Sequence, residues 1–266
     1  MDHLEALRKH IVRSVFVWLL FSILLFIKID WIFDYIILAP SQSDFITYGL
    51  LCRFGHWLHL GDSLCMPPIQ MKFLGNTISG PFMAALNIAF MGGIVLAFPF
   101  IFRELWVFVK PALSQKEIRY MRGSIFWVSL CFFFGAAFGY FLLAPFTFNF
   151  LANFTLGTMG VYQYMPTLDD YISSLTDLIL GCGLAFELPV ISYVLAKIGL
   201  ISSDFLKNYR KYAYVIILVV AAIITPSPDW TSQVIVAFPL IILYEISIIL
   251  VSRVDKHREK EEKEWS

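Results

Sequence analysis

Apolar residues fall in long runs along this chain, punctuated by short polar stretches. Four runs, over residues 12–38, 82–102, 124–143 and 172–198, are predominantly apolar. Each is long enough to cross about 30 Å of hydrocarbon at about 1.5 Å per helical residue. Two more, over residues 212–225 and 231–251, are separated only by residues 226–230, which hold two prolines. The first of this pair would rise only about 20 Å, so the pair reads as a short hairpin. The pattern predicts an all-α, polytopic membrane protein with six transmembrane helices, the last two short. Residues 1–253 form a single membrane domain in this reading, with an outside loop at about residues 40–81 and a charged tail at 254–266. At the amino end, "MDHLEALRKHIVRS" puts Leu4, Leu7 and Ile11 on one helical stripe with Arg8 and Lys9 off it. This predicts a short helix lying along the cytoplasmic interface, its start favoured by a capping box from Asp2 and Glu5.

Composition supports the membrane as solvent. With 59% hydrophobic residues, 17% aromatic and 15% charged in 266 residues, the apolar side chains outnumber what one water-soluble core buries. The formal net charge of zero hides an asymmetry. Arg8 and Lys9 precede the first run and Arg13 lies at its start; Arg103, Lys110, Lys116, Arg119 and Arg122 lie between the second and third; Lys207, Arg210 and Lys211 lie between the fourth and fifth. Residues 144–171 and 226–230 carry neither lysine nor arginine. By the positive-inside rule the basic loops and both termini are expected in the cytoplasm. The amino end lacks the pattern of a removable signal, so the first span is expected to be retained.

Chemistry narrows next. His3, His10, His56, His59 and His257 all lie outside the apolar runs, which leaves an intramembrane serine–histidine protease or a bis-histidine haem without its parts at membrane depth. The His56-x-x-His59 pair has helical spacing but implies no third ligand. No metal site, cofactor or nucleic-acid partner is expected, and the reading is of a non-enzyme. Cys52 and Cys65 share the outside loop and form either a disulfide or two thiols. Cys131 and Cys182 sit within runs, as packing residues do.

The stretch "GCGLAFELPVISYVLAK" carries the clearest deep acid, Glu187, with Pro189 two residues later. An ionisable group in a bilayer faces a protein interior, a wet cavity or a partner, because exposure to lipid costs about 3 kcal/mol. Pro189 removes one helix hydrogen bond, so a kink and a polar notch are expected. The plainer alternative is a protonated Glu187 bonded to a neighbouring helix. Gln233, Asp229 and Glu245 add polar groups to the final hairpin, where Asp229 and Gln233 also suit an interface.

Four segments, "HLEALRKH", "FPFIFRELWVFVKPALSQKEIR", "GLAFELPVISYVLAKIGLIS" and "ITPSPDWTSQVIVAFPLIILYEIS", resemble the TatC family, the six-span receptor of the twin-arginine translocase. The resemblance implies binding of paired-arginine signal peptides on folded cargo. It also implies a homo-oligomer in a complex with TatA-type and TatB-type single-span partners, and export across the bacterial cytoplasmic (inner) membrane by the proton-motive force. By the same resemblance Glu117 matches the loop glutamate that reads the signal, Glu187 the glutamate of span four, and Gln233 a partner-contact residue. Pro40, Phe108 and Asp229 match a loop proline, a loop aromatic and a hairpin acid. The usual amino-terminal His-Leu-x-Glu-Leu-Arg is altered, because Ala6 stands at the acidic position and Glu5 one place earlier. A one-residue shift turns a side chain by about 100° on a helix.

Signal recognition by carboxylates follows from geometry, since the planar arginine fork is held bidentately where lysine is not. Glu117 is the first candidate, with Glu5 and Glu104 beside it. Two rival classes fit the spans: a proton-coupled secondary transporter in which Glu187 carries the proton, and a scaffold without transport.

Overall fold

The computed structural model describes residues 2–42, 44–57, 71–75, 77–109, 123–153, 165–225 and 230–265. The chain opens with α1 (Asp2–Ile27), a break at Lys28, α2 (Ile29–Ile32), a π-helical turn at Phe33–Ile37 and a 3₁₀ turn at Ala39–Ser41. Then come α3 (Ile46–Trp57), α4 (Gly80–Val109) and α5 (Ser124–Phe138). A second π-helical turn, Gly139–Leu143, leads into α6 (Ala144–Asn153). The rest is α7 (Leu168–Ala185), α8 (Leu188–Lys197), α9 (Ser203–Asn208), α10 (Arg210–Ile224) and α11 (Trp230–Trp265). Gly123, at φ +96°, starts α5 from the left-handed region that glycine enters without strain.

Among the described residues five helical stretches are long and apolar enough to cross a membrane: Leu7–Ile27, Gly80–Phe108, Ile125–Asn153, Leu168–Lys197 and Gln233–Lys256. The sixth expected crossing is α10, which is helical but has only 15 residues. Shortness of the last two helices therefore holds for α10 alone. α11 runs 36 residues because its apolar stretch passes unbroken into the charged carboxyl end. The amphipathic amino-terminal segment is likewise continuous with the first span as α1. That span ends as regular helix at Ile27, short of the expected Leu38.

Glycines set the closest helix contacts. A Cβ on Gly135 would stand 2.5 Å from the Cys182 carbonyl, and one on Gly139 would stand 2.6 Å from that of Leu178. The Gly-x-x-x-Gly spacing therefore lets α5 lie backbone to backbone against α7, the close approach that membrane helices use in place of a hydrophobic drive. The Phe132 ring fills the space over Gly183 and stacks on Phe98 at 3.6 Å. α1 and α4 pair antiparallel: Ser22 packs on Gly93, Phe26 on Phe82, and the Trp18 indole donates to the Phe90 carbonyl at 2.8 Å. Many large apolar side chains remain exposed, among them Phe16, Phe134 and Ile223, as lipid-facing residues must be.

Hydroxyl groups stitch the irregular end of the bundle. Tyr140 donates to the Ile36 carbonyl at 2.7 Å, Tyr171 to that of Ile37 at 2.6 Å, and Thr47 to that of Phe141. These carbonyls lie in the two π-helical turns, where regular helix pairing is interrupted. Buried Tyr48 donates to the Pro40 carbonyl at 3.1 Å. Burial pushes its phenol up to about 12, against a smaller opposite effect from Asn149.

Candidate functional site

Two loci carry the polar chemistry. The first is at the amino end of α1, where antiparallel pairing brings the last turns of α4 alongside. The His10 imidazole donates from Nδ1 to Glu104 Oε2 at 2.7 Å, and Arg13 Nη1 stands 4.0 Å from the same oxygen. Glu104 and His10 are largely covered, with 18% and 17% of their side-chain surface exposed. Phe108, one turn after Glu104 on α4, meets the His10 ring edge-on at 6.2 Å. Two candidates named separately from the sequence, Glu104 and Phe108, are thus joined through a histidine that motif reading did not select. Glu5 stays exposed and pairs with Lys9 of its own helix at 3.4 Å. Glu117, Asp229 and Cys65 lie outside the described residues. Cys52 is disulfide-bonded, whereas Cys131 and Cys182 are free.

The second locus is the break between α7 and α8. Backbone bonding tightens at the end of α7: Phe186 N–H donates to Cys182, then Glu187 N–H reaches only three residues back, to Leu184. Helix resumes when Ile191 N–H donates to the Glu187 carbonyl at 2.9 Å. Pro189 falls in the first turn of α8, where a missing N–H leaves no bond unmade. The expected kink is therefore a full break with a new helix start. Glu187 occupies the cap position of α8 but makes no capping hydrogen bond. It is 4% exposed, and neither carboxyl oxygen has a hydrogen-bond partner among the described residues. An apolar groove of about 180 Å³ opens beyond it, lined by Phe102, Leu105 and Trp106 of α4, Val128 of α5, and Val190 and Val194 of α8.

Two of the hairpin's polar groups, Gln233 and Glu245, are occupied within the chain. Gln233 Nε2 donates to the Leu218 carbonyl at 3.0 Å. Arg210 donates to Glu245 Oε2 at 2.9 Å and the Tyr214 hydroxyl to Oε1 at 2.6 Å. Glu245, expected among the partner contacts, is thus satisfied by its own hairpin. Sequence reading also passed over Asp177, an exposed acid in the same apolar run as Glu187. Its signal was plain, a lone carboxylate ten positions before Glu187.

A polytopic, all-α membrane protein with a broken fourth span and an acid–aromatic seam at its amino end is the class defined so far. The family model of the Sec-independent protein translocase protein (TatC) matches residues 2–239. The TatC protein of Blattabacterium sp. subsp. Periplaneta americana (strain BPLAN) is 40% identical over 258 residues, 97% of this chain and 96% of that protein. TatC of Helicobacter pylori (strain J99 / ATCC 700824) is 44% identical over 173 residues, 65% of this chain and 68% of the relative. A crystal structure of the twin arginine translocase receptor TatC matches with a TM-score of 0.72 at 30% identity, covering 95% of this chain and 99% of that one. The chain belongs to the TatC family.

Proposed function

We propose that this protein is the signal-peptide receptor and core membrane subunit of a twin-arginine translocase, exporting folded proteins across the bacterial cytoplasmic membrane on the proton-motive force. The observation that carries this reading is the chain-long likeness to a twin arginine translocase receptor. It acts as a non-enzymatic receptor. Glu117, with Glu104, Glu5 and Phe108, receives the paired arginines at the cytoplasmic face, where both termini lie. Glu187, the Pro189 break, Gln233 and Asp229 form the membrane-depth surface for TatA-type and TatB-type single-span partners in a homo-oligomeric complex. A buried carboxyl with no hydrogen-bond partner among the described residues supports that division of labour, because membrane-depth polar groups are satisfied by neighbouring helices.

The test is export of a folded reporter bearing a twin-arginine signal in cells depleted of this protein. Export returns with the wild-type gene and stays absent when the signal carries paired lysines. Return with paired lysines, or no return at all, defeats the receptor reading. Cysteines placed at Ser266 and Gly157 report orientation, the first labelled only after the membrane is opened and the second from outside.

A further inference from the structure

We propose that Glu104, positioned by His10, is the amino-terminal recognition acid of this receptor, standing on α4 in place of the carboxylate that Ala6 lacks on α1. This deepens the receptor reading and rests on it. Ala6 lies one helical turn before His10, and α1 runs antiparallel to α4, so the last turns of α4 flank the start of α1. Glu104 thereby puts a carboxylate at the same seam from the opposite helix. Glu5 does not fill the vacancy, being exposed and turned to Lys9.

The seam is built to hold this acid in one pose. Among the described residues only Oε2 of Glu104 is engaged, by His10 at 2.7 Å and at longer range by Arg13 at 4.0 Å. Oε1 keeps its acceptor capacity. A guanidinium binds Oε1 end-on, or both oxygens bidentately once the imidazole yields Oε2, and a compact lysine ammonium cannot reproduce the second arrangement. Phe108 packed against His10 supplies an aromatic wall beside the carboxylate, a surface on which arginine stacks better than lysine. His10 is therefore a positioning residue: it fixes the carboxylate until the signal arrives. Arg13 opposes the signal's charge and sharpens the demand for a bidentate donor.

The experiment uses the full-length protein in vesicles of cytoplasmic-membrane lipid and a twin-arginine peptide with a photo-crosslinker beside the arginine pair. Half-saturation of crosslinking is read against a paired-lysine peptide. Glu104→Gln weakens twin-arginine binding roughly tenfold, the scale of a hydrogen bond to a charged group, and shrinks the arginine-over-lysine preference. Ala6→Glu in that background restores both. Ala6→Glu alone, which leaves the seam intact, tightens binding about threefold, the scale of an exposed ion pair. His10→Ala weakens binding and His10→Asn, which keeps a donor near the Nδ1 position, recovers it. Unchanged binding in Glu104→Gln, or no gain from Ala6→Glu in either background, overturns the assignment while leaving the receptor reading standing. A wild-type protein that binds the two peptides alike overturns the receptor reading itself.

Discussion

Two carboxylates with nearly the same local sequence have opposite surroundings. Glu104 sits in "FREL" within α4 and Glu187 in "AFEL" at the break between α7 and α8, each an acid followed by leucine in a largely apolar stretch. At the α1–α4 seam Glu104 meets His10 and Arg13 from the neighbouring helix. At the α7–α8 break Glu187 is more deeply buried, and neither carboxyl oxygen has a hydrogen-bond partner among the described residues. The first pair staples two helices through Oε2 and leaves Oε1 available. The second leaves a polar group unsatisfied in the interior, which costs about 1 to 3 kcal/mol and persists where something outside the chain completes it. The acid held in place by a neighbouring helix and the acid left without a hydrogen bond among the described residues differ in their partners.

The sharpest way to break this contrast is to remove Glu187. Glu187→Leu raises the thermal stability of the isolated protein by about 1 to 3 kcal/mol, because an unsatisfied buried group is gone. The same variant loses about tenfold in co-purification of single-span partners, the worth of a polar contact at membrane depth. Glu187→Gln retains most of that association, since an amide still donates and accepts. A fall in stability with partners still bound would mean that the carboxyl is bonded within the chain. If Gln and Leu both abolish export while partners co-purify normally, Glu187 acts as an obligate proton carrier instead.

Breaking the His10–Glu104 pair has the opposite sign. His10→Ala and Glu104→Ala each destabilise by about 1 to 2 kcal/mol, and a double-mutant cycle recovers a coupling between them. Additive effects would show that the contact carries no energy and would remove one side of the comparison.

A buried hydroxyl that is satisfied gives an intermediate case. Tyr48→Phe strands the Pro40 carbonyl and lowers stability by about 1 kcal/mol. Its pH dependence has a definite sign. Burial raises this phenol from 10.0 to about 12, so between those values the unfolded chain holds fewer protons than the folded one, and stability declines as pH rises. Chemical unfolding at pH 9 and pH 11 in both proteins checks this, since the Phe variant lacks that share of the alkaline loss. An equal pH dependence in the two proteins would remove Tyr48 from the account.

The smallest effect is expected at Glu245. Its pair with Arg210 is 36% and 45% exposed, so Arg210→Ala costs about 0.5 kcal/mol and leaves partner association unchanged. Loss of association there would place Glu245 among the partner contacts.

Much of this was legible in the residues. The long apolar runs give the crossing helices, and the shortness of α10 follows from its run of apolar residues. The break beside Pro189 follows from its missing N–H, although its form as a new helix start does not. Asp177 was equally legible as a lone carboxylate in the run that holds Glu187. Where the apolar pattern misled, it did so at boundaries. Residues 28–38 are apolar enough for span one, yet the regular helix stops at Ile27 and π-helical and 3₁₀ turns take over.

The sequence by itself determined the solvent, the helical class, the main crossings and the presence of a deep acid, because these depend on composition and on periodicity over neighbouring residues. Tertiary structure alone decided which acids have partners. His10 and Glu104 are 94 positions apart, Arg210 and Glu245 35 positions apart, and Tyr171 lies 134 positions from the carbonyl that it satisfies. Such pairings depend on which helices lie side by side. Small residues such as Gly93, Gly135 and Gly139 permit that approach without naming the helix they will meet. Glu187 and Glu104 share the same following leucine, and it is the packing of α1 on α4 that brings His10 to Glu104.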